Sequence, residues 1–296
     1  MLDPREAIDR INRVYGSHAG HRALHARGSF YTGTFTASAE SGRLCRASPF
    51  SGEAVPVLVR WSNAGGDPTR PDKVPDIRGM AVKIQAPGGD IDLVAQTQPR
   101  FPVRTPEDFL SLTKAAQQRV TLPLWLARHP SALPALREGI RAHAVGSPFS
   151  YAELTYYPIH AYGWLDEAGD RTWVRYQLVP LAARHNRPAG EISGPRRLSE
   201  ELAARLAEGP IGYDVLVKKA GPHDDPHDPM SVWASGSAVT AGRLEVTAPV
   251  ADPEESGGPV VFDPTRVVDG IELSDDPILR YRAAAYTESV ARRTHP

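Results

Sequence analysis

Apolar residues first recur at helical spacing. Over residues 3–15, Ala7, Ile8, Ile11, Val14 and Tyr15 fall on one face, Asp3 supplies an N-cap and Pro4 the first turn, which predicts a short helix. The period then changes. Residues 29–37 are rich in aromatics and Thr, as strands are, and 55–61, 79–84 and 91–95 continue the pattern between Gly, Pro and Asp turns. A helical stretch over about 106–143 follows, broken at Pro123, Pro130 and Pro134. Strand patterns return at 156–165, 172–180, 212–218 and 243–246. A helix over 199–207 interrupts them, with Ser199 as its expected cap and Glu200 and Glu201 in its first turn. The last pattern is helical again: Asp275 or Asp276 can cap it, Pro277 suits its first turn, and Ala283 to Ala285 favour its interior. Many short strands at turn-punctuated intervals predict an α+β fold, a closed antiparallel β-barrel with flanking α-helices. No repeat and no linker divides the pattern, so residues 1–296 read as a single domain.

Composition narrows the partners more than the fold. A length of 296 residues with 41% hydrophobic and 23% charged side chains suits a globular chain with a sizeable core. A formal net charge of -1 gives no electrostatic case for nucleic acid or an anionic membrane. The lone Cys45 excludes an intrachain disulfide framework and any CxxC metal site. No apolar run approaches a membrane span, and the N-terminus lacks a basic segment followed by an apolar one, so a cytoplasmic protein is expected.

Chemistry is concentrated at four places. In the last helix Arg282 and Tyr286 lie one turn apart and Arg293 seven residues further on, all on one face. Positive charge beside a phenol favours its anionic form, and a phenolate is a ligand for ferric iron and one of the axial ligands of haem. An amphipathic helix with a half-buried Tyr and a basic edge accounts for the same letters. The second place is Arg22-Ala-Leu-His25-Ala-Arg-Gly28, ahead of the first strand, where a fixed His can act as a general acid or base. The third is Val57-Leu-Val-Arg60-Trp-Ser62, with Arg60 and Ser62 on one strand face and Val59 and Trp61 on the other. The fourth is the strand end Asp92-Leu-Val-Ala-Gln96-Thr97-Gln98, whose carboxamides both donate and accept. Each also has a plain reading, as a loop His, a wet strand face or a turn.

Taken in order, these segments resemble the haem catalase family. Arg22-Ala-Leu-His25-Ala-Arg-Gly is similar to its distal-histidine motif, and Val59-Arg60-Trp-Ser62 to its Val-Arg-Phe-Ser strand. Asp76-Ile-Arg-Gly-Met-Ala-Val-Lys83 is similar to Asp-Pro-Arg-Gly-Phe-Ala-Val-Lys, and Asp92-Leu-Val with Gln96, Pro99 and Phe101 to Asp-Leu-Val-Gly-Asn-Asn-Thr-Pro. Val261-Phe-Asp-Pro264, Asp269-Gly-Ile271, Arg282 and Tyr286 resemble the approach to its proximal Arg-xxx-Tyr.

The resemblance implies haem b as cofactor, with Tyr286 as the iron ligand and Arg282 holding its oxygen anionic. Arg22, Arg60 and Arg293 match the arginines that clasp haem propionates, contacts worth about 1.5–3 kcal/mol each. His25 matches the distal base, Ser62 the hydroxyl that orients it, and Phe109 the phenyl ring stacked over the haem. The family's distal asparagine falls at Gln96, one methylene longer, with Thr97 and Gln98 as alternatives. The chain ends ten residues past Tyr286, without the C-terminal helices of large catalases. Both departures favour a minimal catalase-related peroxidase that takes hydrogen peroxide and a small organic reductant. Dismutation of peroxide, and isomerisation or dehydration of organic hydroperoxides on the same haem, are the alternative activities. A haem carrier or sensor is a third class. A zinc enzyme built on His18, His21 and His25 is a further one, disfavoured by Gly20 and Gly28. A monomer or homodimer is expected.

Overall fold

The structure is a computed structural model that describes residues 2–118, 120–181, 187–188, 190, 192–234 and 236–294. Its strands are β1 (Gly28–Ala37), β2 (Ala54–Asn63), β3 (Asp76–Ala86), β4 (Gly89–Gln96), β5 (Val145–Gly146), β6 (Ala161–Leu165), β7 (Arg171–Pro180), β8 (Ile211–Lys219), β9 (Ala238–Val250) and β10 (Ile271–Leu273). Its helices are α1 (Pro4–Tyr15), α2 (Ala39–Leu44), α3 (Pro106–Gln117), α4 (Thr121–Arg128), α5 (Leu133–Arg141), α6 (Arg197–Glu208), α7 (Glu254–Gly257) and α8 (Pro277–Thr294).

The main sheet runs β10-β6-β7-β8-β9-β1-β2-β3-β4, every neighbour antiparallel, with β5 paired to β3. Its inner face holds the core: Val55, Val57, Val59 and Trp61 of β2 meet Tyr31 and Phe35 of β1, Trp164 of β6 and Tyr213 of β8. Burying each such side chain stabilises the fold by roughly 1.5–3 kcal/mol. The alternation that sends these residues inward sends Arg60 and Ser62 outward. Both are nonetheless buried, because helices cover that end of the outer face.

The expected closed barrel is corrected here: the sheet is an antiparallel half-barrel. Its end strands, β10 and β4, do not pair with each other. Among the described residues only 156 and 157 cross the gap. Tyr156 exchanges backbone hydrogen bonds with Leu178 of β7 (2.9 and 2.8 Å), and Tyr157 with Gln96 of β4 (3.2 and 2.8 Å). Pro158 comes next and has no N–H to continue a ladder. It also splits the expected 156–165 strand into this bridge and β6.

The stretch 106–143 divides into α3, α4 and α5 (residue 119 lies outside the described residues); of the three prolines, Pro130 sits at a break, between α4 and α5, and the other two do not. Pro123 and Pro134 lie in the first turns of α4 and α5, where N–H groups have no helical partner to lose. Ser199 is not a cap. Helix α6 begins two residues earlier, and the Ser199 hydroxyl donates to the Arg196 carbonyl at 2.9 Å. Asp3 caps α1 as expected, accepting from Arg5 N–H at 2.8 Å. Of the two candidates for α8, Asp276 is the cap, its Oδ1 accepting from Ile278 and Leu279 N–H at 2.8 and 3.3 Å. No helix among the described residues is long and apolar enough to cross a membrane.

Candidate active site

Sheet register sets the site before any side chain is considered. On the outer face Gly28, Ser62, Gly79 and Gln96 stand in one row across β1, β2, β3 and β4. Phe30, Arg60, Ala81 and Val94 form the next row. Helices α1, α3 and α8 and the segment 260–262 face these rows across a cavity of about 250 Å³. Lys83, Asp92 and Arg266 pin that segment: Asp92 accepts from Lys83 Nζ (2.7 Å), Arg266 Nη1 (2.6 Å) and Asp263 N–H (2.8 Å).

His25 reaches in from the loop before β1. Its backbone is left-handed, φ 53°, and its N–H donates to the Ala64 carbonyl at 3.0 Å. The imidazole Nδ1 lies 2.9 Å from Ser62 Oγ. It lies against Gly79, where an added Cβ would stand 2.5 Å from the ring Cε1 and 2.6 Å from Nδ1. Burial, reinforced by Arg60, Arg282 and Arg22, lowers its pKa from 6.5 to about 3, so the ring is neutral at physiological pH. The tautomer with Nδ1–H donated to Ser62 would leave the Nε2 lone pair to take a proton.

On the opposite wall, Arg282 and Tyr286 project from α8. Arg282 donates from Nε (2.9 Å) and Nη2 (2.5 Å) to the Tyr286 phenol oxygen, so two N–H groups of a cation point at one oxygen. Its Nη1 lies 3.0 Å from His160 Nε2, and His160 Nδ1 lies 2.6 Å from Asp276 Oδ2. Arg has only donors, so His160 accepts at Nε2 and carries its proton on Nδ1. Burial lowers the His160 pKa despite the opposing Asp276 carboxylate, which agrees with that neutral form.

Three arginines line the third side. Arg60 donates from Nη2 to the His25 carbonyl (3.0 Å) and lies 5.5 Å from the Phe30 ring centroid; burial first, then Arg22, lowers its pKa to about 9. Gly28 makes room for it, since a Cβ there would lie 2.6 Å from Arg60 Cζ. Arg22 and Arg293 share the carboxylate of Glu254. Buried Nε atoms of Arg60 and Arg293 have no partner among the described residues. Unpaired buried donors on two cations fit an anionic group entering from the cavity.

The cavity therefore brings together every expected site residue: Arg22, His25, Arg60, Ser62, Gln96, Phe109, Arg282, Tyr286 and Arg293 all line it. Of the alternatives at the β4 end, Thr97 and Gln98 turn away. The Thr97 hydroxyl donates to Ala144 O (2.6 Å), and Gln98 Nε2 donates to Ala135 O (2.8 Å). Phe109 stacks on Phe101, ring centroids 5.4 Å apart. Sequence reasoning missed His160, Asp276 as a partner of His160, Glu254 and the role of Gly79. Only Asp276 had a signal, as a cap. Among the described residues no three of His, Cys, Asp and Glu gather to hold a metal ion, so the zinc arrangement has no geometric support.

Comparison with known proteins concerns the chain as a whole. The catalase family model matches residues 1–296. A catalase-related peroxidase of Mycolicibacterium paratuberculosis is 45% identical over 303 residues, covering 99% of this chain and 95% of the relative. A catalase-related peroxidase of Synechococcus elongatus is 29% identical, covering 99% and 89%. The crystal structure of a fungal catalase superposes with a TM-score of 0.80 at 21% identity, covering 98% of this chain and 62% of that one. That last likeness concerns the fold.

Proposed function

The chain belongs to the catalase family and is an oxidoreductase, and on that premise we propose that it reduces hydrogen peroxide to water with a small organic electron donor, on haem b held between sheet and α8. The observation that carries this reading is the pairing, across one cavity, of a neutral imidazole on a serine with a phenol oxygen gripped by a guanidinium. Tyr286 is the residue that would ligate the iron. Arg282 favours the anionic oxygen there, and Asp276 through His160 fixes Arg282. Arg22, Arg60 and Arg293 would take the propionates, and Phe109 one edge of the ring.

Haem, when bound, supplies the redox-active iron at which the O–O bond is broken. The protein supplies the proton handling. His25 Nε2 removes a proton from one peroxide oxygen and returns it to the other, which leaves as water rather than hydroxide. Ser62 holds the ring so that Nε2 is the free nitrogen. Two protons and two electrons from the donor complete the second water. Gln96 bears on the alternative, dismutation. Its carboxamide is longer than the family's asparagine and would hold a second peroxide less well, which favours an external donor.

Stopped-flow mixing of haem-loaded protein with peroxide tests the reading. His25→Ala is expected to keep its haem and to react at least a hundredfold more slowly, the usual scale of general acid–base assistance (about 10²–10⁴). A variant as fast as the parent removes His25 from the reaction. Gln96→Asn is expected to raise the ratio of oxygen evolved to dye oxidised. An unchanged ratio removes the argument from the carboxamide.

A further inference from the structure

Glu254 lies outside the chemistry described so far; it does not itself line the cavity, but it holds two arginines that do. Its Oε1 accepts from Arg22 Nη2 (3.0 Å), Arg293 Nη1 (2.7 Å) and the Val260 N–H (2.8 Å). Its Oε2 accepts from Arg22 Nη1 at 2.7 Å. The backbone that carries it is fixed as well: the Glu254 N–H donates to Asp252 Oδ1 at 2.9 Å, and Arg22 Nη2 donates to Val260 O at 2.9 Å. Burial alone would raise the Glu254 pKa, but Arg22, Arg293 and the Val260 N–H reverse this and hold it below the usual carboxylate range. A side chain held by so many donors is a fixed support for the arginines of the wall, not a loosely seated occupant.

Charge explains why the wall needs it. Arg22, Arg60 and Arg293 converge on one region, and Arg22 already depresses the pKa of Arg60. Two propionates would leave one guanidinium uncompensated in a low-dielectric site, which is costly. Glu254 supplies a third carboxylate in direct contact, and Asp252 adds a weaker field on Arg22 and Arg60. Glu254 engages Arg22 through both terminal nitrogens and Arg293 through Nη1, while Arg293 Nε, like Arg60 Nε, is buried and unpaired among the described residues.

We infer that Glu254 is a positioning residue for cofactor binding: it orients Arg22 and Arg293 and stays in place as the third carboxylate when haem propionates bind. This rests on the haem reading above. It specifies that the chain's own carboxylate works with the propionates rather than against them.

The test is the rate of haem loss from the holoprotein to an excess of a tight-binding apo-globin. It is run for wild type and Glu254→Gln, each loaded with haem or with haem dimethyl ester, whose propionates carry no charge. Misplaced arginines should speed loss of the free-acid haem by about tenfold or more, the worth of one charge-assisted contact. Loss of the dimethyl ester should change little. Three results overturn the inference, the last of them an unchanged rate for both haems. Slower loss of free-acid haem from the variant makes Glu254 a competitor for the arginines. Equal acceleration for both haems makes it merely structural. Should Glu254→Gln not fold, Glu254→Asp decides by the same comparison, with a smaller expected acceleration confined to the free-acid haem. A wild-type protein that takes up no haem sinks the functional reading itself. A haem-binding wild type with an indifferent variant sinks only the role of Glu254.

Discussion

At the scale of single residues, the site depends on atoms that are missing as much as on those present. Gly79 has no Cβ, and the imidazole of His25 occupies that space. Gly79→Ala is expected to push the ring off Ser62 and slow the reaction with peroxide at least tenfold, because small misplacements of catalytic groups are expensive. Haem content should stay near that of the parent, and stopped-flow rates at equal loading check this. His25 also gives a stability signature. In the unfolded chain it takes up a proton as the pH falls through 6.5, whereas in the fold it does so only near 3. Between those values the unfolded state binds more protons, so stability falls with pH there, by up to about 1.4 kcal/mol per pH unit. His25→Ala should flatten that part of a urea-midpoint profile measured on apoprotein. His160, also lowered by burial, should leave a residual slope. Ser62 and His25 were legible because motif order and strand parity place them. Gly79 was quoted within a motif, but its reason for being Gly exists only once a loop 54 residues away in sequence lays a ring on it.

At the scale of elements, the sequence was clearest where one face is buried. Strands β1 to β4 and β7 and β8 follow their apolar alternation to within a few residues. The first half of β9, Ala238 to Gly242, carries small residues and gave no such pattern. There the pairing bulges between Val215 and Leu216, and Gly242 lies so close to Phe35 that a Cβ would be 2.7 Å from its ring. Strand β10 is three residues long, below what any period can reveal. The N-terminus of α8 joins element to chemistry, since Asp276 caps the helix with Oδ1 and holds His160 with Oδ2. Asp276→Ala should cost about 1 kcal/mol for the cap and about 1–3 kcal/mol more for the stranded His160. Asp276→Asn keeps a capping oxygen and should recover the first part only. Urea unfolding of the two apoproteins separates the contributions. If both variants cost the same, the two oxygens do not have separate roles.

At the scale of the whole molecule, the half-barrel presents one outer end to α1, α3 and α8, and the site lies in that joint. Groups from the loop before β1, from the sheet and from the last helix all face the same space, so an occupant would tie together parts of the chain that are distant in sequence. Haem should therefore raise the unfolding temperature of the wild type. At a free concentration a hundred times Kd, the linked stabilisation is about 2.7 kcal/mol. Tyr286→Phe should show much less of it at equal haem concentration, and calorimetry of both proteins with and without haem provides the comparison. The incomplete closure of the sheet was beyond sequence reading. Strand count and spacing are the same for a closed and a nearly closed barrel, and the difference lies in a two-residue bridge ended by Pro158.

In the proposed function the Tyr286 oxygen, under the Arg282 guanidinium, is what grips the iron. Resonance Raman spectroscopy of the haem-loaded protein addresses it most directly. The account expects tyrosinate vibrations coupled to ferric haem in the wild type and their loss in Tyr286→Phe. Tyrosinate bands that persist in Tyr286→Phe, as they would if Tyr281 were the ligand, or a spectrum of histidine-ligated haem in the wild type, would contradict it.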